Sequence, residues 1–254
     1  MYSIYAFART ADNIADSVYL KPQDKIEKLE EMGDLVLTLD EERLKGDLHF
    51  RSVFTALHDT IEQLSLDRQD LLDLLTAFKQ DAVKNSYEKF EDIIHYSKYS
   101  ANPVGRLVLS VFGYDRVKHS ALFDMSDRIC TALQLANFWQ DVSRDLKMNR
   151  VYVPEEIMEK YRYDRDMLHE RVENDNFKRM MKELVDETEK IFSEGKKLPS
   201  HLKGRLKLEL RAIISGGRSV LKYIRKINYK VLSKRVKLGK FKKLQIAFKS
   251  IFYV

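Results

Sequence analysis

Apolar side chains recur along this chain at intervals of three and four residues, and few helix-breaking residues interrupt them. Within the segment 68–85, for example, charged residues are interleaved with apolar residues at helical spacing, namely Leu71, Leu72, Leu74, Leu75 and Phe78. That spacing puts the apolar side chains on one face of a helix, whereas a strand would place every second residue on the same face. Only four prolines and nine glycines occur in 254 residues. The sequence therefore predicts an all-α protein, and its length fits one large domain over residues 1–254.

Capping residues, prolines and glycines set the expected helix boundaries. Asp67 has the character of an N-terminal cap. The pair Asn102 and Pro103 is expected to kink or break a buried helix. Pro199–Ser200 and Gly216–Gly217 are expected to interrupt the later helices. The earlier predicted helices cover residues 2–18, 24–38, 50–64, 68–85, 88–100, 107–112 and 120–146.

Two acidic pairs with the same spacing stand far apart in the chain. Asp12 and Asp16 form the first pair, and Asp141 and Asp145 form the second. A separation of four residues puts both carboxylates on one helix face, about one turn apart, where they repel each other unless a cation lies between them. Mg²⁺ held by carboxylates keeps open positions for the phosphate oxygens of a substrate. The pairs therefore indicate a Mg²⁺ site that binds a diphosphate.

The surroundings of each pair differ from those of ordinary surface carboxylates. Arg9 precedes the first pair by about one turn, and the many apolar neighbours predict that its carboxylates are largely buried. The second pair ends a polar stripe whose members follow steps of three and four residues: Gln134, Asn137, Asp141 and Asp145. Because apolar residues flank this stripe, it needs a polar partner.

Positive charge is concentrated at the end of the chain. Residues 218–254 hold 12 of the 45 basic side chains and no acidic one, so residues 1–217 carry 33 basic and 39 acidic side chains. The apolar residues of this tail are Phe241, Leu244, Ile246, Phe248, Ile251, Phe252 and Tyr253. Two interpretations stay open: contact with an anionic membrane surface, or packing of a final amphipathic helix on the acidic body. Nucleic acid is not expected as a partner.

Cysteine content and hydropathy indicate the cellular location of the protein. The single cysteine, Cys130, excludes a disulfide framework within the chain and a thiolate metal cluster. No apolar run approaches the ~18 to 20 residues of a membrane span, and the first residues predict no export signal. We therefore expect a cytoplasmic protein, either soluble or bound peripherally to the inner face of the membrane.

Four segments together carry a resemblance to a known family. They are 5–16 (YAFARTADNIAD), 99–109 (YSANPVGRLVL), 134–145 (QLANFWQDVSRD) and 149–154 (NRVYVP). In this order they resemble the squalene/phytoene synthase family, and the second and third segments resemble its bacterial hydroxysqualene synthase branch, which serves hopanoid biosynthesis. The likeness covers almost the whole chain. It implies the all-α isoprenoid synthase bundle, in which the two acidic motifs face each other across a central cavity.

The resemblance also implies roles for individual residues. Those expected to hold Mg²⁺ are Asp12, Asp16, Asn137, Asp141 and Asp145. Those expected to be catalytic are Arg9, Tyr96, Gln134 and Tyr152. Those expected to contact the substrate are Arg9, Tyr99, Gly105, Gln134, Arg150 and Tyr152.

The chemistry of these side chains suits such roles. Arg9 and Arg150 can grip diphosphate oxygens through charge-assisted hydrogen bonds. Tyr96, Gln134 and Tyr99 are the polar groups expected to hold a reacting water. A purely structural role stays open for two of these residues. Tyr96 could be an ordinary tyrosine of the protein interior, and Gln134 could hydrogen-bond a buried backbone group.

The implied reaction is the Mg²⁺-assisted ionisation of presqualene diphosphate, after which water captures the carbocation to give hydroxysqualene and diphosphate. One alternative is a head-to-head synthase that condenses two prenyl diphosphates, of the squalene, presqualene diphosphate or phytoene type. Another is a truncated, non-catalytic relic. The relic is considered because members of the family usually carry a further N-terminal segment before the first motif, and this segment is expected to be missing here.

Overall fold

Helix-forming segments account for most of the computed structural model, which describes residues 1–39 and 47–234. Within these ranges the chain forms twelve α-helices and one 3₁₀ turn, Leu146–Met148. The β pairing in the same ranges is limited to an isolated bridge between Ser86 and Val151. The prediction of an all-α chain is therefore confirmed.

Contacts along the backbone divide the chain into two compact units. The first contains Met1–Lys84 and Lys98–Phe123, and the second contains Asn85–Ser97 and the residues from Asp124 onward. In chain order the helices are α1 (Tyr2–Ala15), α2 (Pro22–Leu37), α3 (Leu48–Leu64), α4 (Arg68–Asp81), α5 (Phe90–Ser100), α6 (Asn102–Val111), α7 (Ser120–Asp145), α8 (Glu155–Lys160), α9 (Arg165–His169), α10 (Asp175–Gly195), α11 (Leu198–His201) and α12 (Gly204–Lys226).

One apolar core holds the first unit together. Helices α1 to α4 contribute to it, and Leu29 and Leu71 are fully buried there. Phe7 on α1 meets Phe54 on α3 edge to face, with ring centroids 6.1 Å apart. The predicted cap is also present, because the Asp67 carboxylate accepts a hydrogen bond from the first-turn backbone of α4.

A buried acid links α4 to α6 in the first unit. Asp70 lies 3.4 Å from Nη1 of Arg106 and of Arg116, and Arg116 also pairs with Asp67 at 2.8 Å. Burial raises the pKa of Asp70 to about 6, although both arginines act in the opposite direction. These contacts fix α6, the helix that carries Gly105.

A buried indole fixes the orientation of α7 in the second unit. Trp139 is the largest fully buried side chain of the described residues, and its indole N–H donates to Oγ1 of Thr188 on α10 at 2.8 Å. The Thr188 hydroxyl in turn donates to the Leu184 carbonyl at 2.8 Å. Because these buried polar groups are satisfied, one face of α7 is held against α10.

The prediction that Gly216 and Gly217 interrupt a helix is wrong, because α12 runs unbroken from Gly204 to Lys226. A Cβ atom on Gly217 would lie 2.6 Å from Cδ2 of Leu133 and 2.8 Å from Cζ of Phe192. Glycine is therefore needed for close approach of helices at this position. Tertiary packing overrides the weak helix propensity that motivated the prediction.

Other expected boundaries agree with the structure to within a few residues. The predicted break is present, since α5 ends at Ser100 and α6 begins at Asn102 with a proline in its first turn. Pro199 and Ser200 lie inside the short α11, and the interruptions fall on either side of that helix. The first predicted helix ends at Ala15 rather than at residue 18.

No helix within residues 1–39 and 47–234 combines the length and the apolarity needed to cross a membrane. Of the basic tail, residues 218–234 are described. The apolar tail residues from Phe241 to Tyr253 lie outside the described residues. Membrane contact through this tail therefore stays a prediction.

Candidate active site

The first acidic pair lies on the exposed side of α1. The buried residues of this helix are Ile4, Phe7, Thr10, Ala11 and Ala15. Asp16 is exposed at the C-cap, and the Asp12 side chain keeps 36% of its surface accessible. The prediction that these carboxylates are largely buried is wrong, because the buried residues occupy a different stripe of the helix.

Arg9 forms an ion pair with Asp12 one turn later on α1. The arginine side chain is 58% exposed, and exposed pairs of this kind contribute at most about 1 kcal/mol to stability. The guanidinium can therefore exchange Asp12 for another anion at small cost. The expected meeting of this pair with the second acidic motif across one cavity stays a prediction.

The second acidic pair completes a polar face of α7. The continuity of the helix from Ser120 to Asp145 confirms that Gln134, Asn137, Asp141 and Asp145 share one face. Asn137 is exposed, and the other three are half-buried. The neighbouring face is apolar and buried through Leu135, Ala136, Phe138, Trp139 and Val142.

Asp145 has a strongly perturbed acidity. Burial, and after it the negative charge of Asp141, raise its pKa to about 7, although Arg144 and Arg150 act in the opposite direction. A carboxylate in this position is only about half ionised at neutral pH. A cation bound beside Asp141 and Asp145 would relieve both the burial cost and the repulsion.

The donor atoms on this face suit a hard cation. Carboxylate and amide oxygens are the ligands that Mg²⁺ accepts in proteins, and Asn137, Asp141 and Asp145 provide them at successive turns. No group of three or more acidic, histidine or cysteine side chains among the described residues is arranged to hold a metal ion. The metal-binding role of these residues therefore stays a prediction.

A short loop brings Arg150 and Tyr152 against the end of α7. Asn149 adopts a left-handed backbone with φ of 55°, and the Arg150 N–H then donates to the Asp145 carbonyl at 2.9 Å. The Val151 N–H donates to the Asn85 carbonyl at 2.7 Å, which fixes the loop on its other side. Because both ends are hydrogen-bonded, the loop holds its side chains in place.

Asp145, Arg150 and Tyr152 line one small cavity of about 10 Å³ in the second unit. A cavity of this size approaches the space that a single water molecule needs. The cavity thus brings one predicted metal ligand and two predicted substrate-binding residues together.

Tyr152 is the centre of an aromatic cluster. Its ring stacks on Phe138 at a centroid distance of 3.8 Å and lies 5.8 Å from Tyr87 and 6.3 Å from Tyr96. Two predicted site residues, Tyr96 and Tyr152, are therefore close together. Phe138, from the segment 134–145, belongs to the same cluster. Tyr87 also belongs to it although no sequence pattern marks this residue, because Tyr87 lies in a segment without helical periodicity.

Tyr99 and Gly105 lie in the first unit, and both are half-buried on α5 and α6. Next to Tyr99, the hydroxyl oxygen of Ser100 is buried and has no hydrogen-bond partner among the described residues. The substrate-binding roles of Tyr99 and Gly105 stay predictions.

The sequence profile of the squalene/phytoene synthase family matches residues 1–242 of this chain. A hydroxysqualene synthase of Sinorhizobium fredii is 33% identical over 215 residues, which cover 84% of this chain and 70% of that protein. A hydroxysqualene synthase of Zymomonas mobilis is 38% identical over 160 residues, or 62% of this chain. The matched part is half of the Zymomonas protein's length.

The fold also has solved counterparts. The crystal structure of a squalene synthase from Alicyclobacillus acidocaldarius superposes with a TM-score of 0.78 at 34% sequence identity. The superposition covers 90% of this chain and 82% of that one. The prediction of an isoprenoid synthase fold is therefore confirmed.

Proposed function

The chain belongs to the squalene/phytoene synthase family, and we propose that it is a Mg²⁺-dependent hydroxysqualene synthase. Its reaction would ionise presqualene diphosphate and add water to the resulting carbocation, giving hydroxysqualene and diphosphate. The observation that carries this proposal is the polar face of α7, where a half-buried Asp145 with a pKa of about 7 lies one turn after Asp141. Similarity to two hydroxysqualene synthases supports the choice of reaction.

The side chains on α7 would hold Mg²⁺. Asn137, Asp141 and Asp145 offer oxygen ligands in the second unit, and Asp12 and Asp16 offer a further carboxylate pair on α1 of the first unit. When bound, Mg²⁺ supplies positive charge that stabilises the departing diphosphate. Asp145 must lose its proton to take part, so its raised pKa makes binding sensitive to pH near neutrality.

Two arginines would bind the diphosphate of the substrate. Arg150 lines the same cavity as Asp145, and the fixed loop around it keeps its guanidinium near the acidic face. Arg9 would leave its exposed pair with Asp12 to donate to diphosphate oxygens. The Tyr152 hydroxyl is a third candidate donor.

The aromatic cluster suits a carbocation. Aromatic faces attract positive charge, and the rings of Tyr87, Tyr96, Phe138 and Tyr152 lie within 6.3 Å of a neighbouring ring. An apolar surrounding of this kind would also keep bulk water away from a reactive intermediate. Tyr96, Gln134 and Tyr99 are the polar side chains that we propose to hold the single water that reacts.

Head-to-head condensation is the second candidate function. Phytoene synthase 1 of Arabidopsis thaliana is 26% identical over 251 residues, or 96% of this chain. That alignment extends further along this chain than the alignments with the hydroxysqualene synthases. A condensing enzyme would use the same acidic face with two prenyl diphosphates.

The test incubates the full chain with Mg²⁺ and either presqualene diphosphate or farnesyl diphosphate and identifies the lipid products. We expect hydroxysqualene from presqualene diphosphate, and Asp145→Asn should lower its formation by at least about 100-fold. Asp124→Asn is the matched control, because Asp124 is an exposed aspartate on the same helix, and it should leave the rate unchanged. Product from farnesyl diphosphate alone would favour the condensing function, and no product from either would contradict both.

A further inference from the structure

The C-terminal end of α1 carries charges that oppose the helix dipole. Asp12 lies in the last turn of this helix, and Asp16 is the residue that ends it. A helix has a partial negative charge at its C-terminus, so carboxylates are unfavourable there and cations are favourable. Arg9 pairs with Asp12 from the preceding turn, but the last turn of α1 contains no basic residue. The compensating charge at this end therefore has to come from another element.

Lys25, in the first turns of α2, supplies a positive charge at this end. Its ammonium group donates a hydrogen bond to the Ala15 carbonyl at 2.8 Å. Ala15 is buried and directly precedes Asp16, and its carbonyl is one of the last four of α1, which have no partner within a helix. Because Lys25 is itself half-buried, water competes less for this bond than for an exposed one.

The Lys25 bond completes the fixation of the Asp16 backbone. On one side, the Asp16 N–H donates to the Asp12 carbonyl at 2.9 Å, as in a continuing helix. On the other side, Lys25 holds the carbonyl of the peptide bond that joins Ala15 to Asp16. Asp16 accordingly keeps a near-helical backbone, with φ of −86° and ψ of −2°. In this conformation its side chain stays about one turn from that of Asp12, on the same face.

A comparable cap in the same unit lies away from every predicted site residue. At the C-terminal end of α2, Arg68 donates to the Val36 carbonyl at 2.7 Å. The chemistry is the same, a cation from a later helix on a carbonyl of the last turn. Arg68 therefore provides a reference for the effect of such a cap on stability alone.

We propose that Lys25 is a positioning residue for the first acidic pair, which it keeps in the arrangement that binds Mg²⁺ by holding the end of α1. This inference rests on the proposed function, because that function assigns Mg²⁺ to Asp12 and Asp16. The role of Lys25 is indirect and acts through the Ala15 carbonyl. Without the ammonium group, binding of Mg²⁺ also has to order the last turn, so the affinity decreases.

The sign of the change in Mg²⁺ affinity separates positioning from simple electrostatics. Loss of a positive charge close to a cation site would by itself strengthen binding of Mg²⁺, because the repulsion between the two cations disappears. Loss of positioning weakens it. A weaker affinity after removal of the Lys25 charge is therefore the specific sign of the proposed role.

The test compares three variants of the full chain, Lys25→Met, Lys25→Arg and Arg68→Met, by hydrogen–deuterium exchange of the amides of residues 14–17. Methionine keeps the apolar part of the side chain without its charge, and arginine keeps a cationic donor. Exchange is measured without metal and over a series of Mg²⁺ concentrations. The concentration that gives half of the Mg²⁺-dependent protection reports binding at the first pair, and the measurement needs no turnover.

We expect the amides of residues 14–17 in Lys25→Met to exchange about threefold to tenfold faster than in the parent without Mg²⁺. The Mg²⁺ concentration for half-protection should rise by a similar factor. Lys25→Arg should restore most of both effects. Arg68→Met should lower the thermal unfolding midpoint and leave both quantities unchanged.

An equal or lower concentration for half-protection in Lys25→Met than in the parent would overturn the inference alone. An equal rise in Arg68→Met would also overturn it, because the effect would then be one of general stability. Absence of Mg²⁺-dependent protection in the parent would contradict the metal-binding role of the first pair in the proposed function, and the inference with it.

Discussion

The ring of Tyr152 lies face to face on the ring of Phe138, with 3.8 Å between centroids and 12° between planes. The contact joins the loop after α7 to the helix itself, and its position beside Asp145 and Arg150 makes it part of the candidate site. The ring of Tyr152 contributes to packing, and we propose that its hydroxyl serves the substrate, so the two contributions can be tested separately.

Tyr152→Phe should keep the stack and lose the hydroxyl. We expect it to unfold at a higher temperature than Tyr152→Ala, and its kcat/KM for presqualene diphosphate to fall by about tenfold, the loss typical of one hydrogen bond to a charged group. Tyr152→Ala should lose the stack as well and unfold at lower temperature. A Phe variant as active as the parent would remove the hydroxyl from the mechanism.

Asp145 should titrate near neutrality in the metal-free protein. Because burial and Asp141 both raise its pKa to about 7, the protonated form dominates below that pH and must lose a proton before it binds Mg²⁺. Mg²⁺ affinity should therefore fall as pH decreases below 7, by up to about tenfold per pH unit. Calorimetric titration of Mg²⁺ at several pH values measures this slope.

Asp141→Asn separates the causes of that shift. It removes the neighbouring negative charge, so the pKa of Asp145 should decrease, and burial alone should still hold it above the ordinary aspartate value. Carbon-13 NMR of labelled aspartate follows the titration directly. An unchanged pKa in this variant would show that the two carboxylates do not interact.

Two adjacent glycines of α12 should respond in opposite directions to the same substitution. A Cβ on Gly216 meets no atom within 4 Å, so Gly216→Ala should stabilise the helix by about 0.5–1 kcal/mol. A Cβ on Gly217 would overlap Leu133 and Phe192, so Gly217→Ala should destabilise by about 1–3 kcal/mol. Urea unfolding of both variants measures the difference. Equal effects would mean that the close packing at Gly217 is absent.

Two serines of α5 should also respond differently to the same substitution by alanine. The Ser97 hydroxyl is buried and donates to the Ile93 carbonyl at 2.9 Å, whereas the buried Ser100 hydroxyl has no partner among the described residues. Ser97→Ala should therefore lower the free energy of unfolding by about 1 kcal/mol, and Ser100→Ala should be neutral or stabilising. If Ser100→Ala instead destabilises the protein by as much as Ser97→Ala, its hydroxyl has a bonding partner.

Local sequence patterns predicted the helices and the polar stripe of α7 because both depend on spacing within one segment. Gln134, Asn137, Asp141 and Asp145 share a face for the geometric reason that the helix is continuous. Helix capping is also local, because the Asp67 side chain accepts a hydrogen bond from the Gln69 N–H only two residues later. These features needed no knowledge of tertiary structure.

Features that depend on distant segments were missed. Tyr87 meets Tyr152 because a hydrogen bond joins the Asn85 and Val151 backbones, 66 positions apart. The close packing of Gly217 on Leu133 is also non-local. On α1, small and apolar residues surround the first acidic pair in sequence, and only packing decides that Phe7 and Ala11 are buried while Asp16 is exposed.

The most direct test of the account follows the oxygen of the product. The full chain is incubated with presqualene diphosphate and Mg²⁺ in ¹⁸O-labelled water, and the lipid alcohol is analysed by mass spectrometry. The account predicts hydroxysqualene that carries the heavy oxygen and is lost in Asp145→Asn. A hydrocarbon product, an unlabelled alcohol, or the same yield after removal of Mg²⁺ with a chelator would contradict it.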